Sequence, residues 1–358
     1  MLLNDTIIFL AYRNMPVYYT GLNASPLFSN QDGIITSISH FTQIAFPAIT
    51  DIEIGWNYFL LWRNTELYIT GKISENNDKN GPHLINIPIE SAGGCKMAIP
   101  CQDRIFIFST RNEIWTYKIY DDSWERLVPD IMSKTFMEGE YGIKLSKAEC
   151  LIILSNLGRV FSTLKLINVL ERIKFIDIAC GFEHIILLAE NGDIYSMGKG
   201  ARGQLGHNDL ETSDDPELIE ALAGLKVVHI SAGGWHSAVV TNQGDLYAWG
   251  WNSNGELGIE TKEKRVCAVP TLVNFKNHRG ETIEINVKKV ECGNSFTVCL
   301  ADDGSFWGCG SNKYGQLGKL QQDMDNPCNF VKLDIQLFDS KTVKKFKCHE
   351  WGTAIITE

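Results

Sequence analysis

One pattern is written three times along this chain, and its period constrains the fold more than any single residue does. Ala179–Gly206 reads ACGFEHIILLAENGDIYSMGKGARGQLG, Ala232–Gly258 reads AGGWHSAVVTNQGDLYAWGWNSNGELG, and Glu291–Gly318 reads ECGNSFTVCLADDGSFWGCGSNKYGQLG. The first glycines (Gly181, Gly233, Gly293), the turn glycines (Gly192, Gly244, Gly304) and the last glycines (Gly206, Gly258, Gly318) all step by 52 and then by 60 residues. Units of this length, made of short strands and glycine turns, cannot bury their own apolar faces and must stack on one another. Such repeats predict a propeller.

Within each copy an apolar run follows the first glycine (Ile185–Ala189, Ser237–Thr241, Thr297–Ala301). A turn comes next (Glu190–Asp193, Asn242–Asp245, Asp302–Ser305), then a second run carrying Ile194-Tyr195, Leu246-Tyr247 or Phe306-Trp307. Two β-rich runs joined by Asn, Asp and Gly predict a hairpin. Gly200, Asn252 and Asn312 lie three residues before Gly203, Gly255 and Gly315. Glycine and asparagine enter left-handed backbone most cheaply, so a fixed turn is expected there.

Weaker copies occur at Ile52–Gly71, Pro100–Tyr117 and Ala148–Ser162. Phe346–Glu358 is expected to supply the first strand of a further unit, while Thr6–Leu10 and Val17–Leu22 are strands without a hairpin partner of their own. The count comes to about seven, within the range propellers use. The expectation is an all-β, seven-bladed propeller forming a single domain over 1–358. Its strong repeats are 178–206, 230–258 and 290–318, its degenerate repeats 52–71, 99–117 and 145–162, and its closing blade 346–358 plus 1–30. N- and C-terminal strands that share a blade remove the edges an open ring would expose. Lys72–Gly81 and Thr261–Thr282 read as polar loops and Asp121–Gly142 as a long connection of mixed character. Glu211–Leu225 reads as a short helix capped by Asp214 or Asp215, with Pro216 in its first turn and Gly224 at its end.

A net charge of −10 argues against a protein that grips nucleic acid by itself, because neutralising phosphates needs a basic face. Lys262, Lys264 and Arg265, with Lys276 and Arg279, are the best candidate for one basic rim on an acidic ring. No apolar run approaches the roughly 20 residues that span a bilayer. The first residues, MLLNDTIIFLAYRN, carry an acid within the apolar stretch and no basic start, and so make a poor signal peptide. Of the ten cysteines, Cys180, Cys292 and Cys348 share a repeat position held by Ala232 in the second copy. A site that accepts alanine is a small core position, and no Cys-x-x-Cys occurs, so free buried thiols in a reducing compartment are expected.

The order Cys/Ala-Gly-x-x-His, then Gly-Asp-Leu-Tyr-x-Trp-Gly, then Gly-Gln-Leu-Gly resembles the regulator-of-chromosome-condensation propeller family. The match covers Ile178–Gly318, and GKGARGQLGHNDL with AGGWHSAVVTNQGDLYAWGW is similar to its small single-propeller subgroup. The resemblance implies a non-enzymatic, chromatin-linked adaptor in the nucleus, with some cytoplasmic pool. It implies a JmjC-domain 2-oxoglutarate oxygenase as partner, histones or chromatin as further contacts, and a role in histone methylation and chromosome segregation. In the family's nucleotide-exchange member the turns after the first glycine contact a small GTPase. Carried over, these turns are Phe182-Glu183-His184, Gly234-Trp235-His236, Asn294-Ser295-Phe296 and Glu350-Trp351-Gly352, with Trp56 from a weak copy.

Two readings stand for each of these residues. His184 and His236, replaced by Phe296 and Gly352 in the other copies, are either scaffold hydrogen bonders or rim contacts. Phe182, Trp235, Phe296, Trp351 and Trp56 either pack between blades or form an aromatic docking rim. With Glu183, Asn294 and Glu350, these make up the candidate partner-binding rim. Gly198-Lys199-Gly200-Ala201-Arg202-Gly203 satisfies a dinucleotide pattern, but its sibling copies mark it as the repeat's own turn. No His-x-x-x-His or Gly-x-Ser-x-Gly occurs, and no catalytic, metal or cofactor residue is assigned. Three functions follow: a protein-interaction adaptor, a guanine nucleotide exchange factor for a small GTPase, and a kelch-like substrate receptor. The last is prompted by Gly93-Gly94 and Gly233-Gly234 and opposed by the Gly-Gln-Leu-Gly tails.

Overall fold

The computed structural model describes residues 15–23, 37–46, 48–71, 82–85, 93–127, 137–163, 166–167, 172–260, 265–320, 328–333, 335 and 342–358. Each strong repeat builds one antiparallel sheet, with an innermost strand added ahead of the first glycine. Blade 4 is Phe175–Cys180, His184–Ala189, Ile194–Gly198 and Ser213–Leu218. Blade 5 is Val227–Ala232, His236–Thr241, Leu246–Trp251 and Val266–Leu272. Blade 6 is Val287–Cys292, Phe296–Ala301, Phe306–Gly310 and Val331–Leu333. The second strand of a blade is buried on both faces, because alternate side chains enter different interfaces. In His184–Ala189, Ile185 and Leu187 pack with Ile152 and Leu154 of the preceding blade. Ile186 and Leu188 pack with Val227, Ile230, Val239 and Trp249 of the next.

The degenerate repeats give blades of the same kind. Blade 1 is Asp51–Ile54, Tyr58–Arg63, Glu66–Gly71 and His83–Leu84; blade 2 is Cys95–Pro100, Arg104–Ser109, Ile114–Lys118 and Ser123–Leu127. Blade 3 holds Gly142–Lys147, Leu151–Ser155 and Val160–Ser162 among the described residues. Blade 7 closes the ring. Val17–Leu22 pairs with Gly352–Thr357, setting Tyr19 opposite Ala354, and Ser37–Gln43 and Val343–His349 flank them. The propeller is therefore seven-bladed and all-β, with the first and last described strands in one blade. The C-terminal segment contributes two strands to it rather than the single one expected, while Thr6–Leu10 lies outside the described residues.

The outer strands correct three expectations. The segment read as a helix over 211–225 is the edge strand Ser213–Leu218 and a 3-10 turn at Glu220–Leu222. Pro216 is tolerated there because an edge strand leaves a row of N–H groups outside the ladder. The loop expected over Thr261–Thr282 contains the strand Val266–Leu272 and a small hairpin pairing Phe275 with Ile283, and the connection Asp121–Gly142 contains the strand Ser123–Leu127. Lys72–Gly81 lies outside the described residues.

The tail turn is also built differently. Left-handed backbone falls on Gly203, Gly255 and Gly315 (φ 71°, 83° and 78°), not on Gly200, Asn252 and Asn312. At Gly200 glycine is required by proximity, since a Cβ would lie 1.7 Å from the Glu211 carbonyl oxygen. Asn252 and Asn312 are buried hydrogen-bonding struts. Their Oδ1 atoms accept from the Leu257 and Leu317 amides, and their Nδ2 groups donate to the Ile259 and Lys319 carbonyls.

Candidate partner-docking rim

The turns that join the first strand to the second in each blade lie together around one mouth of the central channel. Backbone hydrogen bonds fix their spacing, each N–H reaching the next blade: Phe182 donates to Gly234 at 3.0 Å, Gly234 to Asn294 at 3.1 Å, and Asn294 to Glu350 at 3.0 Å. The channel has a volume of about 740 Å³. Charged side chains of the innermost strands line it and pair across blades. Lys144 bonds Asp177, Lys347 bonds Glu53, and Asp51 receives Lys345 at 2.8 Å and Lys347 at 3.1 Å. Burial pushes the Asp51 carboxyl up, but the two lysines outweigh it and hold the group below its ordinary range.

His184 and His236 do not belong to this rim. They are 0% and 1% exposed. The Nε2 of His184 meets Ser237 Oγ of the next blade at 2.9 Å, and that of His236 meets Thr297 Oγ1 at 2.9 Å. Ser237 and Thr297 in turn donate to the Gln204 and Glu256 carbonyls of the preceding blades. Burial lowers both imidazoles to about 3, so they are neutral ties between blades. Phe296, the third residue of this series, is also buried (0% exposed), its ring filling the space a Cβ on Gly293 would occupy. These three expected rim contacts are corrected to scaffold. Asn294 is 8% exposed and contributes mainly its backbone to the mouth.

The other expected residues form two aromatic groups. Phe182 (37% exposed) packs edge-on against Trp235 at 5.2 Å, and the Arg202 guanidinium lies 4.0 Å over the Trp235 ring. Glu183 accepts from Trp235 Nε1 at 3.2 Å and faces Lys199 at 3.2 Å and Arg202 at 3.7 Å. The bonded Lys199 ammonium holds the Glu183 carboxyl below its usual range. Further round the mouth, Trp56 (45% exposed) packs on Trp351 at 5.9 Å, and Tyr314 also meets Trp351 at 5.7 Å. The sequence pattern does not single out Arg202 or Tyr314. Arg202, Asn254 and Tyr314 hold one repeat position in the tail turns, but their side chains differ in chemistry. That difference conceals what Arg202 and Tyr314 have in common, which is that each reaches forward onto the next blade's rim.

Of the expected basic segment, Lys262 and Lys264 lie outside the described residues and Lys276 is paired with Glu260 at 2.9 Å. Among the described residues, no group of three or more His, Cys, Asp or Glu could hold a metal ion, and no helix is long and apolar enough to cross a membrane. Gly198–Gly203 follows a strand but opens no helix, so the dinucleotide pattern lacks its context.

The profile of the regulator of chromosome condensation repeat matches residues 191–240 and 243–300, and a second profile of the same repeat matches 175–204, 227–256 and 287–316. Residues 175–316 therefore carry the repeat of this family. RCC1 domain-containing protein 1 of Mus musculus is 30% identical over 215 residues, covering 49% of this chain and 53% of the relative. The human E3 ubiquitin-protein ligase HERC2 is 39% identical over 189 residues, covering 52% of this chain but 4% of the relative. The chain thus spans about half the length of one relative and a small part of the other. Among solved structures, human WBSCR16 superposes with a TM-score of 0.76 at 17% identity, covering 97% of this chain and 99% of that one. Prp20p of Saccharomyces cerevisiae, studied for its binding to Gsp1p and histones, gives 0.76 at 15% identity over 96% and 91%. At those identities the likeness speaks for the fold alone.

Proposed function

We propose that this propeller is a non-enzymatic adaptor that docks a protein partner on its aromatic rim. The observation that carries the reading is the pairing of an exposed with a half-buried ring, twice, on one end of a closed ring: Phe182 on Trp235 beneath Arg202, and Trp56 on Trp351. Tryptophan and arginine are the residues that anchor protein interfaces, and here they are held by neighbours on adjacent blades before any partner arrives. The finer form of the proposal places the protein on chromatin in the nucleus. Its partner there is a JmjC-domain 2-oxoglutarate oxygenase, with consequences for histone methylation and chromosome segregation. The resemblance carried by residues 178–318 supports this form.

A nucleotide-exchange function is the alternative. Burial of His184 and His236 and the engagement of Glu183 with Lys199 and Arg202 weigh against it. Affinity purification from nuclear extract with mass spectrometry, followed by reconstitution of the recovered oxygenase with the purified protein, tests the proposal. The expected result is a complex that the double variant Phe182→Ala, Trp235→Ala loses. Catalysed GDP release from a nuclear GTPase, or an oxygenase complex indifferent to the double variant, overturns it.

A further inference from the structure

We infer that the channel mouth between blades 7 and 1 receives a cationic side chain, arginine or lysine, from a protein partner. This rests on the reading of the rim as a docking face. The first observation is one carboxylate out of balance. Among the carboxylates of the rim turns, Asp103 is paired with Arg104 at 2.6 Å, Glu149 with Lys199 at 2.8 Å, and Glu183 with Lys199 and Arg202. Glu350 has no such partner among the described residues, and its Oε2 is buried without a hydrogen bond. An unpaired buried carboxylate oxygen is costly unless something satisfies it.

The second observation is backbone geometry. Glu350 sits at φ 43°, whereas Phe182, Gly234 and Asn294, which hold its place in the neighbouring blades, stay outside the left-handed region. Non-glycine residues in this region persist only where the surroundings enforce them. The turn sets Glu350 on the channel lining, which Trp56 shares, and its carbonyl accepts the Asn294 amide at 3.0 Å. Its charge is felt across the mouth at Cys101, where burial pushes the thiol up to about 11 and Glu350 adds to the rise.

The third observation is a comparison within the ring. At blades 4 and 5 a complete set exists: Glu183 as carboxylate, Arg202 as cation, Trp235 as indole. Trp351 holds the repeat position of Trp235, and the preceding blade reaches it with Tyr314 where Arg202 stands in the other set. Trp56 adds a second indole. At blades 7 and 1 the aromatic faces recur and Tyr314 stands where Arg202 does, whereas the carboxylate comes from Glu350 at the Phe182 position, the Glu183 position of blade 6 being Ser295. Two basic residues are candidates: Lys313, 5.2 Å from the Tyr314 ring, and Lys147, which lines the channel and lowers the Cys101 thiol. Neither is ion-paired with Glu350 among the described residues. A guanidinium seated here would donate to Glu350 while lying over an indole, as Arg202 lies 4.0 Å over Trp235 and within 3.7 Å of Glu183.

The test uses the whole chain and short acetylated, amidated glycine peptides carrying a single arginine, lysine or citrulline, with indole N–H signals of Trp56 and Trp351 followed by NMR. The arginine peptide, the lysine peptide or both shift these two indoles in a saturable way, and citrulline, the neutral isostere of arginine, does not. Glu350→Gln weakens binding about tenfold, the loss of one charge-assisted hydrogen bond. Trp56→Ala weakens it as well, and Trp56 is exposed enough to be replaced without unfolding the blade. Citrulline binding as well as arginine, no shift with any peptide, or an unchanged affinity in Glu350→Gln overturns the inference. An oxygenase complex that fails on Phe182→Ala, Trp235→Ala yet ignores Glu350→Gln leaves the docking rim standing and removes this pocket.

Discussion

Glu256 stands where the sibling repeats carry glutamine, and this difference makes stability depend on pH in a way the fold predicts. Gln204 Oε1 accepts the Arg202 amide at 2.8 Å, Gln316 Oε1 the Tyr314 amide at 2.9 Å, and Glu256 Oε2 the Asn254 amide at 2.6 Å. The three side chains play the same part, but Glu256 does so with an ionisable group that is 1% exposed. Burial pushes its carboxyl up to about 7, against backbone N–H groups that pull it down. Because the folded value is raised above the ordinary 4.5, the stabilisation is complete below 4.5 and is lost as pH rises through about 7. A displacement of this size corresponds to about 3 kcal/mol between the two ends of that window. Glu256→Gln keeps the acceptor and removes the titration. Urea midpoints measured from about pH 5 to about pH 8.5 should give similar stabilities at the acid end, with the variant ahead by about 2–3 kcal/mol at the alkaline end. Parallel profiles, or a variant that is weaker at alkaline pH, would refute the reasoning by making the backbone amides a sufficient home for the ionised carboxylate.

Two further outcomes follow from the ties between blades. His184→Ala and His236→Ala each remove an inter-blade hydrogen bond and open a cavity, and each should cost about 2–4 kcal/mol in chemical denaturation. The imidazoles are lowered from the ordinary 6.5 to about 3, so wild-type stability is complete above 6.5 and falls as pH drops below it; His184→Ala removes part of that slope, read from midpoints across the acid range. Gly203→Val places a branched side chain at φ 71° with a Cβ 2.8 Å from Ala268 Cα, and should lower stability by about 3 kcal/mol or more, read as a fall in melting temperature. An unaltered melting temperature would mean that the turn carries no strain.

The parts of the fold that were legible in the sequence are the ones buried on two faces. Second and third strands such as Ser237–Thr241 and Leu246-Tyr247 repeat because each side chain must fit an interface that recurs from blade to blade. The outer strands were not legible, since they have little to bury. Ser213–Leu218 reads SDDPEL, and nothing in it separates an edge strand from the start of a helix. The rim was half legible. Phe182 and Trp56 lie one residue and Trp235 two residues after the first glycine, Trp351 shares the Trp235 position, and they do reach the rim. His184, His236 and Phe296 sit one residue past the Trp235 position, and that single step carries them from the turn into the next strand and the core. The groups that complete the rim, Arg202 and Tyr314, come from the preceding blade, a pairing only the ring geometry reveals.

The most direct test of the docking rim is a calorimetric titration of the proposed oxygenase partner into the wild-type propeller and into Trp235→Ala. Loss of an anchoring indole beneath Arg202 should raise Kd by a factor on the order of thirty, about 2 kcal/mol, while the melting temperature stays within a few degrees of wild type. Equal affinities for the two proteins would place the binding surface elsewhere on the ring and contradict the account.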